Sequence, residues 1–85
     1  MASYRLRFRN SISRDLRPIP GKDVQRILKR IESLTEYPRP PGSEKLSGQE
    51  RYRVRQGNYR ILYEIIDDEL IVIVVKVGHR RHVYR

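Results

Sequence analysis

Residues 4–8 (Tyr4, Arg5, Leu6, Arg7, Phe8) alternate apolar and basic positions, the period of a half-buried strand with its arginines on the outer side. Asn10 or Ser11 supplies a cap for a short helix that runs to about Arg17, where Pro18 and Pro20 stop it. After Gly21 the apolar residues Val24, Ile27, Leu28, Ile31 and Leu34 recur at i, i+3, i+4, i+7 and i+10. That spacing predicts an amphipathic helix over 22–36 with Lys22, Arg26, Lys29, Arg30 and Glu32 off the stripe. The short link between the helices predicts a hairpin laid on a sheet. Residues 37–44 (YPRPPGSE) carry prolines and a glycine and read as a loop.

The second half reads as a β-meander. Strands over 52–56 and 59–66 flank Gly57-Asn58, a strong two-residue hairpin signal, and Asp67-Asp68 is a weaker turn into a third strand over 70–77. Every position from Leu70 to Val75 is apolar, so this strand is expected at the centre, covered on both faces. Gly78 is expected to end the ladder and leave HRRHVYR as a tail. The pattern therefore predicts one α+β domain over residues 1–85: an N-terminal strand, a two-helix hairpin, then an antiparallel three-stranded meander with the helices packed on one face of the sheet.

Composition narrows the chemistry. With no cysteine there is no disulfide, thiolate metal site or cysteine nucleophile. No apolar run is long enough to span a bilayer and the N-terminal residues lack a signal-peptide core, so a soluble, cytoplasmic protein with no membrane partner is expected. Nineteen Lys+Arg against ten Asp+Glu give a net charge of +9, which points to a polyanionic partner. Simple solubility, or an acidic partner protein, is the competing explanation. Placement decides between them.

The hairpin turn fixes that placement. With Gly57-Asn58 as the loop, Gln56 opposes Tyr59, Arg55 opposes Arg60, Val54 opposes Ile61 and Arg53 opposes Leu62. Opposed residues share a face, so Arg53, Arg55 and Arg60 crowd one side while Tyr52, Val54, Ile61 and Tyr63 line the other. A one-residue slip would reverse Arg60. Arg55 facing Arg60 is a repulsive pair, a cost tolerated where a function uses it, and an anion between the guanidinium groups would relieve it. The alternative is that Glu64 or Glu50 neutralises the pair on an ordinary surface. The tail favours function, because Arg80, Arg81 and Arg85 come with His79, His82 and Tyr84 and can return beside Arg60 and Arg55.

Arginines with a histidine or tyrosine meet the needs of RNA cleavage without a metal or other cofactor. The ribose 2′-hydroxyl attacks its own phosphate, so a base must take one proton, an acid must return one to the 5′-oxygen, and cations must stabilise a phosphorane. Arginine stays protonated, so the base must be His82, His79 or Tyr84. Neighbouring guanidinium charges would lower a phenol toward usefulness. His79 and His82 alone are too few ligands for a metal, Tyr52, Tyr59 and Tyr63 are better read as core or rim than as base-stacking residues, and the Asp67-Asp68-Glu69 run as a solvated tip.

Lys45-Leu46-Ser47-Gly48, Tyr52-Arg53-Val54-Arg55, Gly57-Asn58-Tyr59-Arg60, Tyr63-Glu64-Ile65 and Val77-Gly78-His79-Arg80-Arg81-His82-Val83-Tyr84 resemble the RelE/ParE superfamily of bacterial toxins. The closing GHRR-x-VY looks like the RelE branch, the ribosome-dependent mRNA endonucleases, more than the gyrase-inhibiting ParE branch. The resemblance implies an enzyme that cuts mRNA in the ribosomal A site and is held inactive by a cognate antitoxin. It implies catalytic roles for Arg60, as phosphate and transition-state ligand, for Arg80, at the leaving group, and for Tyr84 or His82, as base. RNA-phosphate contacts fall to Arg53, Arg55, Arg81 and Lys45. Relatives often carry lysine where Arg53 and Arg55 stand, and a basic residue where Ser47 stands. A gyrase inhibitor and a non-catalytic RNA-binding module are the competing readings.

Overall fold

A computed structural model describes residues 3–46 and 50–81. Strand β1 (Arg5–Phe8) leads into helix α1 (Ile12–Leu16) and helix α2 (Gly21–Ser33). A short strand β2 (Glu44–Lys45) follows, then β3 (Arg51–Gln56), β4 (Tyr59–Ile66) and β5 (Ile71–His79). Among the described residues these form one five-stranded sheet in the order β1-β5-β4-β3-β2. The β1–β5 pairing is parallel and the others are antiparallel.

The predicted α+β architecture holds, with differences that have local causes. Ser11 precedes α1 as its cap residue without a side-chain bond, and Pro20 holds that place for α2, its φ of −56° suiting a helix entrance. Helix α2 stops at Ser33, three residues short of the predicted end, and unwinds through tighter bonds from the Leu34, Thr35 and Glu36 amides to carbonyls three residues back. Leu28, on the predicted stripe, is 40% exposed, because the burial of Ile27, Ile31 and Leu34 sets a narrower contact line. Within the segment read as a loop, Glu44 and Lys45 pair with Arg53 and Tyr52 and extend the sheet by one edge strand.

The apolar run of β5 sits at the centre, as expected, but helices cover only one of its faces. Ile12, Ile27, Ile31 and Leu34 pack on Tyr52, Val54, Ile61, Tyr63, Ile65, Val72, Val74 and Val77. The opposite face carries no helix among the described residues. Leu62 lies there, yet is 1% exposed and stands outside the helix-side cluster. Its cross-strand neighbour Arg53 keeps only 20% of its side chain exposed, as expected when an arginine stem covers apolar surface.

Two irregularities position the far end of β5. Asp67–Glu69 form a single 3-10 turn and Leu70 adopts a left-handed backbone at φ 54°, so the strand begins at Ile71 and not at Leu70. Between Leu62 and Tyr63 the β4–β5 register shifts: Tyr63 pairs with Val74 but Leu62 pairs with Lys76. This bulge leaves Val75 unpaired and reverses the phase of the strand, which keeps Lys76 off the core side and puts Val77 into it. Beyond the end of β1, the Val77 amide donates to the Asp15 carboxylate at 3.0 Å, so α1 completes an edge that no strand covers. The strand continues through Gly78, expected to end it, to His79.

Candidate functional site

The β3–β4 hairpin forms in the register its turn dictates. Gly57 sits at φ 60° and Asn58 does not share a positive φ, an arrangement with glycine first that matches the twist of paired strands. Arg55 faces Arg60, Val54 faces Ile61 and Arg53 faces Leu62. Arg53, Arg55 and Arg60 therefore share the helix-free face.

Three arginines so close would repel one another, and the edge strand tempers this. Arg53 donates to Glu44 at 2.9 Å, and the Glu44 carboxyl is held below its ordinary range by that bond and by the charges of Arg53, Arg55 and Arg60. One carboxylate thus senses all three guanidinium groups. The expected neutralisers are engaged elsewhere. Glu64 pairs with Arg51 at 2.7 Å and Arg9 at 3.8 Å, and Glu50 pairs with Lys45 at 3.3 Å. Glu44 was hidden from sequence reasoning inside the proline-rich loop.

The bulge in β5 places Gly78 directly across from Arg60 on the other side of β4. No side chain arises at that position, so the Arg55–Arg60 row ends beside open backbone. From there the chain turns back, and the Arg80 amide donates to the Asn58 carbonyl at 2.8 Å. Arg80 is thereby tied to the hairpin tip at the Arg60 end of the sheet, and Arg81 follows it, exposed.

Other candidates are placed differently. His79 pairs with Tyr59, meets its ring edge-on at 5.8 Å and accepts from the Arg81 amide at 3.3 Å. Tyr59 packs on the helix-side core and reaches Asp23 of α2, so the His79 ring belongs to that side and not to the arginine face. Lys45 opposes Tyr52, again on the helix side, and is not gathered with Arg53, Arg55 and Arg60. His82 and Tyr84 lie outside the described residues. Among the described residues no three His, Asp or Glu side chains form a group able to hold a metal, and no helix is long and apolar enough to cross a membrane.

At the opposite end of the sheet a polar clasp holds the proline-rich loop. Asp67 accepts two bonds from Arg39, at 2.8 and 3.3 Å, and one from the Tyr4 hydroxyl at 2.8 Å. These bonds, those of Arg39 first, hold the Asp67 carboxyl below its usual range. Arg39 also donates to the Tyr52 hydroxyl at 3.0 Å, and Tyr52 stacks on Tyr63 at 5.8 Å. Tyr63 donates to the Pro38 carbonyl at 2.6 Å, and burial pushes its phenol up to about 12. The clasp fixes the loop that delivers Glu44 to Arg53.

Residues 6–84 match the family described as ParE toxin of type II toxin–antitoxin system, parDE. The toxin RelG of Mycobacterium tuberculosis is 30% identical over 86 residues, covering 96% of this chain and 97% of that protein. The mRNA interferase toxin RelE of Escherichia coli K12 is 25% identical over 80 residues, covering 92% of this chain and 84% of that protein. Among solved structures, the toxin–antitoxin complex RelBE2 of M. tuberculosis contains a chain that superposes with a TM-score of 0.81 at 27% identity, over 92% of this chain and 99% of that one. The intact E. coli RelBE toxin–antitoxin complex gives 0.78 at 26%, over 98% and 100%. The match spans sheet, helices and arginine face together, and the chain belongs to the RelE/ParE superfamily of type II toxin–antitoxin toxins.

Proposed function

We propose that this toxin is a ribosome-dependent mRNA endonuclease that cleaves in the A site by attack of a ribose 2′-hydroxyl on the adjacent phosphate. The observation that carries the reading is the opposition of Arg55 and Arg60 beside Arg53, at the end of the sheet to which Arg80 is tied. A scissile phosphate between Arg55 and Arg60 relieves their repulsion and receives bidentate donors. As the 2′-oxygen bonds to phosphorus, Tyr84 or His82 takes its proton. Arg60 and Arg55 stabilise the phosphorane, whose added negative charge strengthens every guanidinium bond relative to the ground state. The P–O5′ bond then breaks with Arg80 stabilising the departing oxygen, which takes its proton from water. The products are a 2′,3′-cyclic phosphate and a 5′-hydroxyl. Arg81 contributes a phosphate contact beside the site, and Lys45, paired with Glu50 on the other face, has no part in the step.

The relatives solved as toxin–antitoxin complexes support a cognate antitoxin for this chain. On this reading the antitoxin covers the Arg53, Arg55 and Arg60 face or displaces the tail from it. The test of the activity is induced expression without antitoxin, followed by mapping of 5′ ends on translated and untranslated copies of one mRNA. New ends confined to the translated copy are expected, and their absence from both removes the endonuclease reading. The match to the ParE family favours a second reading, inhibition of DNA gyrase without cleavage. A supercoiling assay with purified toxin separates them, since loss of supercoiling with intact mRNA is the outcome only the second reading allows.

A further inference from the structure

The arginine face extends beyond the residues that surround the scissile phosphate. In the β1–β5 register Arg5 opposes Ile71 and Arg7 opposes Ile73, and on the far side of β5 these isoleucines oppose Ile66 and Glu64. Glu64 in turn opposes Arg51. One row thus runs across four strands as Arg7, Ile73, Glu64, Arg51, on the same helix-free face as Arg53, Arg55 and Arg60. The contact of Arg9 with Glu64 at 3.8 Å shows the residue just past β1 reaching over that face.

We infer that Arg5 and Arg7 form a second phosphate-binding site, which holds the backbone of single-stranded RNA several nucleotides from the cleaved bond. Both side chains are exposed, and neither has an ion-pair partner among the described residues. Glu64, the carboxylate that would repel a phosphodiester midway, is flanked by Arg51 and Arg9 and presents no net negative charge along the path. Between the two basic lobes lie half-buried Ile73 and the row of Lys76, buried Leu62 and Arg53, whose two cations continue the positive path. Strand spacing of roughly 4.8 Å and a rise of about 3.4 Å per residue put the Arg7 row about 17 Å from Arg60. Only a chain longer than a dinucleotide bridges that distance.

The inference rests on the reading of this face as an RNA site, and RNA length separates the two. Affinity and its salt dependence are measured by fluorescence anisotropy with uncleavable single strands, one of two nucleotides and one of about ten. The native chain should bind the longer strand with a log–log salt slope of roughly −3 to −4, from about four to six phosphates. Arg5→Gln/Arg7→Gln should make that slope shallower by roughly 1.4, about 0.7 for each phosphate no longer neutralised, and leave dinucleotide binding unchanged. Arg5→Lys/Arg7→Lys should restore the slope. If the native chain binds neither strand, the RNA reading of the whole face falls. An unchanged slope in the glutamine variant overturns the β1 site alone, and so does a defect confined to antitoxin binding. Charge on an edge strand also discourages pairing between molecules. Should the double variant self-associate, Arg7→Gln at low concentration carries the comparison with half the change in slope.

Discussion

Arg55 and Arg60 stand directly opposite each other across the β3–β4 hairpin, where a sheet ordinarily pairs a cation with an anion. Their opposition couples anion binding to the stability of the fold. Inorganic pyrophosphate should stabilise the domain by about 2.7 kcal/mol at a hundredfold excess over its Kd. Arg55→Gln should raise the anion-free Tm slightly, by relieving repulsion, and abolish most of the response to pyrophosphate. Calorimetric scans across a pyrophosphate series check both signs together.

Arg60→Ala should leave a folded domain, because Ile61 and Tyr63, both fully buried on the other face, supply the core of that strand. Cleavage on programmed ribosomes should fall by about 10²–10³, the usual consequence of losing one transition-state donor. Arg80→Ala should fall similarly, with slower departure of the 5′-oxygen. Circular dichroism beside single-turnover cleavage distinguishes a missing group from a missing fold.

Tyr84→Phe and His82→Gln divide the role of base, since each removes a proton-transfer group with little change in shape. The variant that lacks the true base should lose about 10²–10⁴ in rate. For the active base the pH–rate profile should also lose its lower limb. Retention of full activity by both variants would leave the tail a positioning role only.

Tyr63 should set the alkaline limit of the fold. Its phenol is pushed up to about 12 by burial, whereas an unfolded tyrosine ionises near ~10, so the unfolded chain releases its proton first. Stability linked to Tyr63 is therefore intact below pH ~10 and is lost as pH rises from there toward 12. Equilibrium urea unfolding at pH 9 to 12 should show that decline in the native chain. Tyr63→Phe should flatten it, although at neutral pH the variant loses the bond to Pro38 and about 1 kcal/mol with it.

The hairpin register and the arginine face were legible in the sequence because Gly57-Asn58 leaves one way to pair its strands. The bulge was not. From Leu70 to Val75 every residue is apolar, so the run has no phase, and nothing in it tells that Val77 rather than Lys76 enters the core. That Gly78 would face Arg60 depended on the same hidden step. Glu44 carries no such signal, because a two-residue strand has no periodicity and this one follows a run of prolines. The apolar stripe of α2 overstated its packed width by Leu28, since a period gives direction and not width. That β1 would lie parallel against β5, and so bring Arg5 and Arg7 onto the same face, is a tertiary choice that alternation alone leaves open.

The pairing of β1 with β5 also sets when a nascent chain can complete its sheet. Arg5 leaves the exit tunnel early, but its partner Ile71 lies in the last strand of the domain. At roughly 5–20 residues per second, the first strand waits several seconds for the last. Until β5 emerges, β1 has no partner strand and the hairpin has no support on its β5 side. Folding of this topology is therefore a delay: the hairpin that carries the arginines waits for β5, and only then is the Arg60 end of the face complete.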